Sequence, residues 1–180
     1  MSGRLIAVVG PSGVGKDTVM EAMAQAEARL GLVRRVITRP SGAGGEVFEG
    51  VDETRFAAMR TAGDFALWWE AHGLCYGIPT AVDAELASGR DMLANLSRRA
   101  LCAAQDRFNG LVVIALTAQP RVLAERLSLR GREDAAGIAR RLARAGSDMP
   151  QGITATTIDN AHALDTTVRS ALAMLYPVRV

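Results

Sequence analysis

The stretch Gly10-Pro11-Ser12-Gly13-Val14-Gly15-Lys16-Asp17-Thr18 leaves this chain few folds to choose from. An apolar run, Leu5-Ile6-Ala7-Val8-Val9, precedes it and reads as a buried strand. After it, apolar residues at Val19, Met20, Met23, Ala26 and Leu30 follow a helical period. Strand, glycine-rich turn and helix in that order are the setting of a phosphate-binding loop. Glycines let successive backbone N–H groups turn inward around a phosphate, and the helix N-terminus adds partial positive charge. Gly10, four residues, then Gly15-Lys16 fits the Walker A spacing, with Lys16 placed to reach the terminal phosphates of a nucleotide. All nine residues from Gly10 to Thr18 are therefore candidates for nucleotide binding. A turn with no ligand would need neither the lysine nor both flanking elements.

The position after the lysine ordinarily carries a hydroxyl for Mg²⁺. Here it is Asp17, and the hydroxyl follows at Thr18. Two roles stand open for Asp17. It can hold Mg²⁺, directly or through a water, with Thr18 beside it. It can equally serve as an acid in the first turn of a helix, where the dipole favours it.

A chain of 180 residues is one domain with room for a full core. Lys plus Arg number 21 against 19 for Asp plus Glu, a balance that argues against bulk nucleic-acid binding. Lys16 is the only lysine. Arginine suits bidentate phosphate recognition, but a GC-rich genome produces the same bias, so the count alone decides nothing. Cys75 and Cys102 lack metal-ligand spacing and read as reduced thiols of a cytoplasmic protein. The first apolar run is too short for a signal peptide or a membrane span. Small-molecule partners are expected, not nucleic acid or membrane.

Along the chain, helix is expected from Gly15 to Arg29 with Gly31 as its stop, and residues 32–40 read as one strand that ends at Pro40 and a glycine-rich loop. Residues 52–60 read as a short helix, and Phe65–Glu70 with Leu74–Tyr76 as a hairpin around His72-Gly73. A helix between Pro79 and Gly89, a core strand at Met92–Leu96, a helix capped by Ser97, and a buried strand at Leu111–Leu116 follow. A strand at Ile153–Ile158 and a helix with Leu164, Val168, Leu172 and Leu175 on one face complete the series. Strands separated by helices imply an α/β fold with a parallel sheet covered on both faces. Residues 39–89 break the alternation and read as an inserted lobe. The core is expected at 1–38 and 90–180, with a small lid at about 130–147.

Four arginines stand where phosphates outside the loop could be met: Arg39 at the end of the second strand, Arg130 and Arg132 around Gly131, and Arg141 on the next helix. Phosphoryl transfer is mostly positioning and charge neutralisation, which arginines closing over the γ-phosphate supply. His72 and His162 read as surface or capping residues, so no general base stands out. A hydroxyl acceptor usually needs one, whereas a phosphate acceptor is already ionised.

Taken together, Gly-Pro-Ser-Gly-x-Gly-Lys, Thr38-Arg39-Pro40 with Gly45-Glu46, Phe65 through Tyr76-Gly77, and Arg126-Leu127, Arg130-Gly131 and Arg140-Arg141-Leu142 resemble the guanylate kinase family over nearly the whole chain. Gly-Lys-Asp-Thr, Tyr76-Gly77-Ile78-Pro79 and Trp69-Glu70-Ala71-His72-Gly73-Leu74 are most similar to its ribose 1,5-bisphosphate phosphokinase branch, from the carbon–phosphorus lyase pathway of phosphonate use. The resemblance implies a P-loop kinase using ATP and Mg²⁺. Lys16 would hold the donor phosphates, Arg130 and Arg141 would neutralise the charge in transit, and Arg39 and Tyr76 would hold the acceptor. Guanylate kinases read guanine with acidic side chains; Leu67, and Asn95 with Ser97, stand in those places here, and a tyrosine near Phe48 and a second arginine after Pro40 are missing. A pocket without acids leaves purine donors unpaired. The implied acceptor is therefore a sugar bisphosphate. A nucleoside monophosphate kinase is the alternative, and a non-catalytic interaction module, which would have lost the loop, ranks last.

Overall fold

The computed structural model describes residues 2–40, 47–129 and 148–177. Two sheets organise them. The main sheet is parallel, in the order β2-β7-β1-β8-β9, from β1 (Leu5–Val9), β2 (Leu30–Leu32), β7 (Asp91–Asn95), β8 (Val112–Thr117) and β9 (Thr156–Asp159). All five residues of β1 are buried, which is why its run is apolar without alternation. Leu5, Ala7 and Val9 face α4 (Leu101–Arg107) and the second sheet. Ile6 and Val8 face α1 (Lys16–Ala26), α5 (Pro120–Leu129) and α6 (Leu164–Leu175). The chain steps to β7 on one side of β1 and to β8 on the other. The crevice at that reversal, beyond the carboxyl ends of the strands, is where such sheets bind ligands, and the loop after β1 lies in it.

The second sheet, β4-β3-β6-β5, comprises β3 (Val36–Ile37), β4 (Glu49–Gly50), β5 (Phe65–Ala71) and β6 (Leu74–Pro79). β5 and β6 form the expected hairpin, with His72 and Gly73 both at positive φ. The helix α2 (Glu53–Ala62) starts at Asp52, whose carboxylate accepts from the Arg55 N–H at 2.7 Å. It is held to β5 by stacking of Phe56 on Phe65. The helix α3 (Ala81–Ala87) follows β6.

Several element boundaries differ from the sequence reading. α1 stops at Ala26 because Glu27 turns to extended backbone, and Gly31 lies inside β2. The 3.6-residue pattern runs on to Leu30 only because that residue is buried by the strand instead. Residues 32–40 are not one strand: β2 joins the main sheet and β3 the second. A run of β-formers with three arginines inside it does not show that its ends pair with different sheets. Pro79 ends β6, opposite Phe65, and does not open α3. Ser97 leads into a short 3₁₀ turn, Arg98–Ala100, before α4, and the final strand begins at Thr156. The expected lid at 130–147, with Arg130, Arg132 and Arg141, and the pair Gly45-Glu46 lie outside the described residues.

The amino ends of the strands are closed by a polar cluster. Asp91, at the start of β7, accepts from the Arg4 backbone N–H at 2.6 Å, the Arg4 Nη2 at 2.6 Å and the Tyr176 hydroxyl at 2.8 Å. The Tyr176 ring lies 3.8 Å from the guanidinium carbon of Arg29. Burial would push the Asp91 carboxyl up, but these donors outweigh it and hold it below the usual carboxylate range.

Candidate active site

The loop's glycines answer to specific neighbours. A Cβ on Gly10 would lie 2.5 Å from the Leu116 carbonyl oxygen, so nothing larger lets the loop pass β8. Gly15 precedes α1 at φ 93°, the left-handed region that favours glycine. A loop that turns its N–H groups inward must find donors for the carbonyls it turns outward. Val14 C=O accepts from Asn160 Nδ2 at 2.6 Å and from Arg126 Nη1 at 3.2 Å. Asn160 is buried, and its own Oδ1 accepts from the Thr167 hydroxyl at 2.7 Å. Its main-chain oxygen takes Arg126 Nη2 at 2.8 Å. Asn160, Arg126 and Thr167 thus brace the loop from behind. Sequence reasoning missed this, because a lone asparagine after β9 carries no signal toward a loop 146 positions away.

Lys16 folds over the loop, its Nζ donating to Gly10 C=O at 3.0 Å and Pro11 C=O at 3.2 Å. Beside it a cavity of about 310 Å³ opens between Gly13, Gly15, Thr18, Arg126, Asn160 and His162. That size suits the nucleoside part of a ligand whose phosphates lie in the loop.

Asp17 stands in the first turn of α1, as read from the sequence, but it is not an isolated helix-start acid. Its Oδ1 accepts from Asn95 Nδ2 at 2.8 Å. Asn95 was expected beside the acceptor, in the place of a base-reading acid; its side chain turns to the phosphate loop. Among the described residues no three His, Cys, Asp or Glu side chains converge. A Mg²⁺ ion at such a site is held mainly by phosphates and waters with one or two protein groups, which Asp17 and Thr18 fit.

On the lobe side, Tyr76 pairs with Ile37 across β3 and β6 and stacks on Trp69, ring centroids 5.4 Å apart and nearly parallel. Arg35, which the sequence reading passed over, is 5% exposed and lies against both rings, 5.2 Å from that of Tyr76. Its Nη1 donates to the Asn95 carbonyl at 2.6 Å. A chain of contacts therefore runs from Tyr76 through Arg35 and Asn95 to Asp17, and brings the two halves of the candidate site together. Arg39 follows β3, its guanidinium over the Phe48 ring at 4.4 Å. The strand end is secured by Thr38, whose hydroxyl accepts from the Cys75 N–H at 2.8 Å. Burial, then Glu70 and Glu53, pushes the Cys75 thiol up. Leu67 is buried in the core.

No family model matches the chain. Whole-chain relatives do. The "ribose 1,5-bisphosphate phosphokinase PhnN" of Ruegeria sp. strain TM1040 is 48% identical over 98% of this chain and 94% of its own length. The protein of the same name from Rhizobium etli is 45% identical over 96% and 89%. A "bifunctional ribose 1,5-bisphosphokinase-thymidine phosphorylase" of Cupriavidus necator matches 91% of this chain at 41% identity, using 28% of its own length. Among solved structures, a guanylate kinase from Anaplasma phagocytophilum superposes with a TM-score of 0.73 over 97% of this chain and 85% of its own, at 16% identity. That likeness is one of fold.

Proposed function

The chain belongs to the ribose 1,5-bisphosphate phosphokinase family, and on that premise we propose how its residues carry out the reaction. The protein is a kinase that phosphorylates ribose 1,5-bisphosphate in phosphonate catabolism. The donor is ATP and the product is 5-phospho-α-D-ribose 1-diphosphate. An oxygen of the 1-phosphate forms a bond to the γ-phosphorus, the bond from that phosphorus to the β–γ bridging oxygen breaks, and ADP leaves. No base is needed, because the attacking oxygen is already ionised at neutral pH.

The loop's inward N–H groups and Lys16 hold the β- and γ-phosphates. Asn160 and Arg126 keep the loop in shape so that these donors are preorganised, which is where most of the catalytic stabilisation of a developing charge arises. Asp17 and Thr18 would hold Mg²⁺, which would supply charge neutralisation for the phosphates. Arg130 and Arg141 would neutralise the charge in transit. Arg39 and Tyr76 hold the acceptor. The substrates are small molecules, and the setting is the cytoplasm.

What carries the acceptor assignment within this fold is that neither place for a base-reading acid offers one. Leu67 is buried in the core, and the Asn95 amide is committed to Asp17. Purine N–H groups would find no carboxylate in either place, and rejection on such grounds reaches about 10⁴-fold.

The test is a panel of acceptors with ATP, read by phosphorus NMR. Ribose 1,5-bisphosphate is expected to give a diphosphate product and stoichiometric ADP, with GMP a far poorer acceptor at equal concentration. Comparable specificity constants for the two would instead make the protein a nucleoside monophosphate kinase. Absence of any diphosphate product would remove the assignment altogether.

A further inference from the structure

In P-loop enzymes Mg²⁺ stands between two protein groups: the hydroxyl that follows the loop lysine, and an aspartate at the carboxyl end of a neighbouring strand. This chain departs at both places. Asp17 follows Lys16, and β7, which runs parallel to β1 with Asn95 beside Val8, ends in an amide. Taken singly, each departure reads as a loss. The structure joins them, because Asn95 Nδ2 donates to Asp17 Oδ1 at 2.8 Å. The ordinary arrangement sets a hydroxyl donor on the loop against a carboxylate on the strand. Here the carboxylate is on the loop and the donor is on the strand. One negative charge is retained at the pair, and so is a hydrogen-bond donor opposite it; only their places are exchanged.

We propose that Asp17 and Asn95 are a transposed metal-side pair, in which Asp17 supplies the carboxylate that faces the cation and Asn95 is the positioning residue that aims it. Asn95 is well placed for this. It is nearly buried, and Arg35 Nη1 holds its main-chain oxygen at 2.6 Å, so the amide is anchored at its own backbone. The identity of residue 95 follows from that of residue 17. An aspartate at 95 would set two carboxylates at hydrogen-bond distance. The amide avoids the repulsion and donates in addition. The proposal rests on nucleotide binding at the loop, and one measurement keeps the two apart.

The experiment is a mutant cycle: wild type, Asp17→Ser, Asn95→Asp and the double variant. Two readouts apply, binding of a fluorescent ATP analogue with and without Mg²⁺, and the Mg²⁺ concentration for half-maximal turnover. Metal-free binding of the analogue by the wild type reports on the loop alone; its absence would sink the reading of the loop and leave the transposition without a premise. Given that binding, each single variant is expected to raise the Mg²⁺ requirement by about tenfold or more, the scale on which residues that orient a metal's ligands act. The double variant, which restores the ordinary arrangement, should return to within about threefold of the wild type. Additive losses in the double variant would overturn the transposition. Asn95→Ala gives a second arm should Asn95→Asp fold poorly. A positioning role predicts a raised Mg²⁺ requirement with the acceptor KM little changed. A raised acceptor KM with an unchanged Mg²⁺ requirement would show that Asn95 belongs to the acceptor and overturn the proposal.

Discussion

β7 is five residues long, and its two ends do opposite work. At its start, Asp91 takes donors from Arg4 and Tyr176, and Arg29 lies over the same tyrosine ring. At its end, Asn95 ties Asp17 to Arg35, beside a loop whose lysine rests on its own carbonyls. Both clusters join segments far apart in sequence, and each is centred on a buried residue of β7, Asp91 at one end and Asn95 at the other. The difference lies in whom they serve. The donors around Asp91 are turned toward one another, and the result is a locked joint between the first strand and the last helix. At the carboxyl end, the Val14 carbonyl of the loop is braced by Asn160 and Arg126, and a cavity opens beside the loop. Substitutions should therefore divide cleanly, changing stability at one end of β7 and turnover at the other.

Lys16→Ala carries the largest expected effect. Turnover should fall by at least about 10²-fold, the usual loss when one electrostatic donor to a transferring group is removed. The thermal midpoint should move little, because the ammonium group is only part-buried where it meets the Gly10 and Pro11 carbonyls. Near-normal turnover in the folded variant would undo the assignment of the loop. Arg39→Ala should come next, raising the acceptor KM by about tenfold or more while leaving binding of an ATP analogue in place; the loss is that of one charge-assisted contact, worth about 1.5–3 kcal/mol. Equal weakening of donor and acceptor would move Arg39 out of the acceptor site.

At the other end, Asp91→Ala should leave kcat near that of the wild type and cost about 2 kcal/mol of stability in denaturant unfolding. It leaves the Tyr176 hydroxyl and the Arg4 N–H without their acceptor; the figure stays below that of a fully buried pair because Arg4 is partly exposed. A large fall in kcat at unchanged stability would erase the contrast between the two ends. Tyr176→Phe is a milder version, about 1 kcal/mol for one hydrogen bond.

The smallest effect is a pH dependence with two windows. The Asp91 carboxyl is held below its ordinary value in the folded protein, so its contribution is present above the unfolded value, near 3.8, and is lost as pH falls through the lower folded one. Tyr176 goes the other way. Burial, with its hydrogen bond to Asp91, raises the hydroxyl to about 12 from an ordinary 10, so that contribution is intact below pH 10 and fades between 10 and 12. Unfolding curves for Tyr176→Phe should show a shallower loss of stability across the alkaline window; identical slopes would mean the hydroxyl is not held as described.

The loop and its flanking strand and helix were legible in the sequence because each is local, and the parallel sheet was legible from the alternation of strands and helices. Glycine spacing, a run of five apolar residues and a 3.6-residue period all act within a few turns of chain. The hairpin around His72-Gly73 was legible for the same reason. The family and its branch were legible as well, since the motifs Gly-Lys-Asp-Thr and Tyr76-Gly77-Ile78-Pro79 survive as short words. The split of residues 32–40 between two sheets was hidden, because β-forming residues do not specify their partners. Only the tertiary structure decided that Asn160 braces the loop, that buried Arg35 sits against Tyr76, and that Asn95 turns to Asp17. Those contacts join residues between 41 and 146 positions apart, with Arg35 reaching Tyr76 across the shortest separation. A hydrogen bond is fixed by where the folded backbone carries its two ends. No local propensity encodes that, and it follows only once both sheets and the helices between them have packed.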